Sequence, residues 1–177
     1  TEHHNTVVIG GVGQGREGKG HDAFAGVPYD SLNKIGMRDV KMSDSGASLT
    51  ADLAAAYEPS VGVVGFVRRF SFKAPGEFLI EDSIKTDRPQ IVTSYLHSDS
   101  SIVENNGGFE FEGAQLFAEF LEPKSYDSAI GPNFLTAPGR PGSVDKGERE
   151  QRGVRLAIST KEPVKDVSFK VRLRVRQ

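Results

Sequence analysis

The stretch VSFKVRLRVRQ, which ends the chain, leaves its backbone little choice. Val167, Phe169, Val171, Leu173 and Val175 alternate strictly with Ser168, Lys170, Arg172, Arg174 and Arg176. In an extended strand successive side chains leave opposite faces, so this run buries one face and wets the other. The same rhythm recurs upstream. ASLTADLAAAY sets Leu49, Ala51, Leu53, Ala55 and Tyr57 against Ser48, Thr50 and Asp52. FVRRFSFKA puts Phe66, Phe70 and Phe72 on one face, with Arg68 the exception, and EFLIEDSI alternates Phe78, Ile80 and Ile84 with Leu79, Glu81 and Ser83. IVTSYLHS and GGFEFEG read the same way, and AQLFAEFLEP is read as a strand that Pro123 stops. Only PYDSLNKIGM suggests a short helical turn.

Period 2 with β-branched and aromatic residues is the pattern of half-buried antiparallel strands. The 20 glycines and 9 prolines among 177 residues supply the turns between them. The expected fold is therefore all-β: an antiparallel β-sandwich or stacked sheets forming one domain over residues 1–177. Strand-plus-turn spacing suggests about nine to twelve strands. GPNFLTAPGRPGSVDKGEREQRG is expected to be a long loop. A net charge of −2 argues against nucleic acid as a general partner. The absence of cysteine excludes disulfides and thiolate sites. No run approaches the roughly 18–20 apolar residues of a membrane helix. The opening TEHHNTVVIGG has no initiator Met and no leader pattern, so the expectation is a piece of a longer protein.

The segment VVIGGVGQGREGKGHDAF carries two phosphate-binding spacings. Gly13-x-Gly15-x-x-Gly18 fits the dinucleotide fingerprint, and Gly13-x4-Gly18-Lys19 is one residue short of a P-loop. Gly20 stands where a P-loop needs the hydroxyl that holds magnesium, and no helical stripe follows. Both motifs depend on a helix N-terminus for their anion site. The segment reads instead as a connector, with Arg16, Lys19 and His21 offering positive charge to a polyanion.

No other constellation assembles a reaction centre. His3 and His4 are neighbours and would face opposite sides of a strand, as would Glu81 and Asp82. His21-Asp22 and His97-Ser98-Asp99 lack the spacing of a complete metal site. Lys170, Arg172, Arg174 and Arg176 form a basic row about 7 Å apart that could track an anionic polysaccharide. The alternative is an edge strand guarded by charge.

The stretch HHNTVVIGGVGQ resembles the H-N-T…Q strand of the heparinase II/III-like polysaccharide lyases. ADLAAAY, VRRFSFKAPGEFLIEDSI and IVTSYLHSD resemble that family's following strands in order, over about the first hundred residues. AQLFAEFLEP is similar to a later segment of the family, and Gly10 stands where the family often has Asp. The resemblance implies a lyase with an N-terminal helical toroid followed by stacked antiparallel sheets. It would cleave uronic-acid-containing glycans by β-elimination, in the periplasm or outside the cell. It implies that the catalytic Tyr/His groups lie upstream, and that His4 is one ligand of a structural zinc whose companions are also upstream.

The expected role is thus the C-terminal β-sheet wall of a lyase, inactive alone, with the toroid and an acidic polysaccharide as partners. Arg16, Lys19, Arg172 and Arg174 are the candidate substrate-binding residues, and His4 the candidate metal ligand. The alternative is a free-standing carbohydrate-binding or structural β-sandwich module.

Overall fold

The computed structural model of the protein describes residues 4–15, 27, 29–136 and 149–176. Among them are twelve strands and one helix of four residues. In chain order they are β1 (Val7–Ile9), α1 (Tyr29–Leu32), β2 (Gly36–Ser43), β3 (Gly46–Asp52), β4 (Val63–Lys73), β5 (Glu77–Gln90) and β6 (Val92–Ser98). Then come β7 (Ile102–Asn105), β8 (Gly108–Phe111), β9 (Leu116–Glu122), β10 (Asp127–Thr136), β11 (Arg149–Ser159) and β12 (Val164–Val175).

The strands form two antiparallel sheets, one of eight in the order β2-β3-β4-β5-β12-β9-β8-β7, the other of four in the order β1-β6-β11-β10. The all-β sandwich expected from the sequence is the fold observed. No helix of the described residues is long and apolar enough to cross a membrane.

Alternation decides which face is buried. Phe66, Ile84, Phe169, Val171, Ala118 and Phe109 point inward from the large sheet, and Val7, Ile9, Val92, Leu96, Leu156 and Ile158 from the small one. Burying a side chain of this size is worth about 1.5–3 kcal/mol, so this shared core holds the two sheets together. The core does not extend to the β2 edge, whose eight residues are all exposed.

Three local readings change in the structure. The alternation from Ala47 does not run to Tyr57 as a strand: β3 stops at Asp52 and Ala54–Ala56 coil into a 3-10 turn. The expected loop at Gly131-Pro132-Asn133 is instead strand. It belongs to β10, an edge strand whose register shifts between Pro132 and Phe134, where a missing N–H is tolerated. Third, β12 is not an edge strand; it lies between β5 and β9.

Candidate functional site

The segment His4-Asn5-Thr6 enters β1 across the gap between the sheets, and Arg68 secures it there. Arg68 lies directly opposite Asp82 on the inner face of the β4–β5 hairpin. Its Nε donates to Asp82 Oδ1 at 2.6 Å and its Nη2 to Oδ2 at 2.7 Å. The third nitrogen, Nη1, donates to the Asn5 carbonyl at 2.8 Å. The planar fork of Arg suits this arrangement, and the ammonium of Lys could not reproduce it. The Asp82 side chain is only 2% exposed, so the pair works in poor solvent. Burial opposes the Arg68 cation, but the Asp82 carboxylate overrides it and raises the guanidinium pKa.

Tyr57 adds a second tie. Its ring packs 6.0 Å from that of Phe66, and its hydroxyl donates to the Val7 carbonyl at 2.7 Å. Burial, and then the Asp82 charge, raise the phenol pKa far above its ordinary value. Tyr57 is therefore a fixed hydrogen-bond donor and a poor general base.

Asn5 also reaches β6. Its Oδ1 accepts the His97 backbone N–H at 2.8 Å and lies 3.1 Å from His97 Nδ1. A backbone N–H can only donate, so the Asn5 atom facing it is the carbonyl oxygen. That oxygen cannot donate in turn, so the proton of this contact sits on His97 Nδ1. A chain of hydrogen bonds thus links buried Asp82 through Arg68 and Asn5 to the His97 ring. Asn5 and His97 line a cleft of about 470 Å³, with Ser98, Asp99 and Ser100 at its polar side and Leu96, Phe111, Leu116 and Leu173 among its apolar lining.

β1 ends in a tight turn: Ile9 and Val12 exchange both backbone bonds around Gly10 and Gly11, whose φ angles are +58° and +79°. A Cβ on Gly10 would lie 2.2 Å from Gln90 Oε1. The positive φ favours glycine at this position, where the resembling family often has Asp. Arg16, Lys19 and His21 lie outside the described residues, as does His3.

His4 is exposed, and its carbonyl accepts the Thr6 N–H at 2.7 Å. Among the described residues no group of three His, Cys, Asp or Glu side chains could hold a metal ion. A structural zinc needs four ligands, so these residues do not by themselves fit one.

The side chains of the basic row all lie beside carboxylates. Lys170 meets Glu81 at 2.7 Å, Arg172 meets Glu119 at 3.6 Å and Arg174 meets Glu77 at 3.2 Å. Arg176 pairs with Glu110. Lys170, Arg172 and Arg174 thus each have a carboxylate on a strand flanking β12, making a ladder of paired charge across the outer face. Sequence reading missed the Asp82–Arg68–Asn5 chain, although the break in apolar alternation at Arg68 signalled it.

No protein-family model matches the chain, and no curated protein matches it. Solved structures do. A heparinase III has a TM-score of 0.65 at 12% identity, over 97% of this chain and 23% of that one. The heparan sulfate lyase HepC from Pedobacter heparinus has a TM-score of 0.60 at 12% identity, over 98% of this chain and 24% of that one. The fold is shared with part of these lyases. At this identity the likeness speaks for the fold, and the chain spans about a quarter of the length of the proteins it matches.

Proposed function

We propose that the chain is the β-sheet wall of a larger polysaccharide lyase of the heparinase II/III kind, without catalytic activity of its own. The observation that carries this reading is the shared fold over 97% of this chain and only 23% of a heparinase III. The H-N-T segment supports it, being held at the junction of the sheets by the Arg68–Asp82 pair.

In the reaction proposed for the whole protein, a base takes the proton at C5 of a uronic acid while its carboxylate is neutralised. The electron pair then forms the C4–C5 double bond, and the C4–O bond breaks as an acid protonates the leaving oxygen. The sheet portion would close one side of the cleft and present His4. His4 would be one ligand of a structural zinc completed from an N-terminal helical toroid. The setting would be periplasmic or extracellular. Arg16 and Lys19 remain proposed contacts to the acidic glycan. Arg172 and Arg174 would join them only by exchanging Glu119 and Glu77 for a sugar carboxylate.

The test uses the ultraviolet absorbance of the unsaturated product. The 177-residue chain should release none from heparan sulfate or alginate, and the longer native protein should release it from one of them. Turnover by the chain alone would contradict the reading.

A further inference from the structure

The eight-stranded sheet has twice as many strands as the sheet it faces, and its inner face runs on past the shared core. No residue of β2 or β3 belongs to that core. The register carries the inner face outward row by row. From Arg68 it passes to Ala51 and Met37, and from Phe78 through Phe72 and Ala47 to Met42. Between these rows Ile80 and Phe70 lie in line with Leu49.

Beyond Arg68 the side chains of these rows are all apolar. The Phe78 ring centre is 4.7 Å from that of Phe72 and 5.8 Å from that of Phe70, so these three pack on one another. Met37 is 72% exposed and Met42 84%. Val40, within the register shift between Arg38 and Lys41, is exposed as well. The opposite face of the same strands is polar: Lys41, Ser48 and Ser71 share one row, and Arg38, Thr50 and Arg69 another. Such alternation belongs to a sheet with one covered face, yet the β2 methionines stand in solvent. Grouped apolar side chains of this kind mark a protein contact, and methionine adapts to a facing surface. A glycan would find no hydrogen-bonding side chain among them.

We propose that this extension of the inner face is the docking surface for the portion of the longer protein that precedes the chain, which meets it through an apolar surface of its own. This rests on the reading of the chain as one wall of a larger lyase. Two observations favour that occupant. The shared fold takes up only 23% of a heparinase III, so most of such a protein lies outside it. The Asn5 carbonyl is bonded to Arg68, in the same row as Ala51 and Met37, so a preceding portion joins the chain at the border of the uncovered face. A tether there holds the two surfaces at high effective concentration. A second copy adding strand to strand is disfavoured by β2 itself, whose edge is broken by the register shift and by Asp39 at φ +56°.

Met37 and Met42 are the two methionines of the chain, so their oxidation to sulfoxide reports on this face. Brief hydrogen peroxide treatment, read by mass spectrometry of tryptic peptides, tests the proposal. In the 177-residue chain both should oxidise as fast as methionine in an unfolded peptide. In the longer native protein both should react at least about tenfold more slowly, since a covered side chain reacts only when the contact opens. Met42→Glu should leave the circular dichroism and thermal midpoint of the 177-residue chain unchanged, because the site is exposed. In the longer protein the same change should return Met37 to its rate in the chain alone. Equal rates in a longer protein that releases unsaturated product would overturn the docking face and leave the lyase reading intact. Protection in a longer protein that releases no product would support the face and remove the lyase reading. Oxidation of the chain alone that slows as its concentration rises would give the face to a second copy and overturn the proposal, as would a native product of 177 residues.

Discussion

Arg68 stands where its strand calls for an apolar side chain, and the structure supplies the reason. It neutralises Asp82 and holds the Asn5 carbonyl, so one guanidinium joins the large sheet to the start of β1. Removing one member of a buried pair leaves the other charged without a partner, at a cost of about 3–5 kcal/mol. Arg68→Met should lower unfolding stability by that amount in a denaturant titration. Adding Asp82→Leu should recover much of the loss, because replacing both partners by apolar groups is far milder than removing one. A single variant as stable as wild type would deny the pair its role. The sequence showed Arg68 as a break in pattern. It did not show the partner, because Asp82 sits 14 residues away and meets Arg68 only through the hairpin register.

Pairing between elements also decides what the basic strand can do. The alternation in VSFKVRLRVRQ predicts strand β12 and its two faces, and both are observed. Its neighbours are not legible there. Glu77 and Glu81 come from β5 and Glu119 from β9, brought alongside by long-range antiparallel pairing. Local periodicity likewise predicts β4, β5 and β9. It fails where turn-forming residues enter a strand at Pro132, because edge position and a bulge are properties of the sheet. Tyr95 and Arg155 are 60 positions apart in sequence and meet through the β6–β11 register. A smaller pairing offers a pH test. On the β2–β3 hairpin the Arg38 guanidinium donates to Asp52 at 2.8 Å and holds that carboxyl below the ordinary aspartate value. A depressed carboxyl contributes stability above its unfolded pKa and loses it as pH falls through the folded value. An NMR titration should therefore find Asp52 titrating below about 3.9. Arg38→Ala should return it toward that value, and an unchanged midpoint would contradict the contact.

At the scale of the whole molecule, two sheets of unequal size share one core, with a clamped entry segment at their junction and a paired-charge ladder on one outer face. The described residues hold no complete metal cluster, and Tyr57 is held as a donor by burial. Under the proposed function this two-sheet unit is the supporting wall of a longer protein. The central claim is that this wall belongs to a larger lyase, and the most direct measurement is the intact mass of the native protein in its source cells. The account predicts a mass far above 19.2 kDa, with additional sequence before Thr1. A native product of 19.2 kDa would contradict it, removing the toroid and the companion zinc ligands together and leaving a β-sandwich that acts alone.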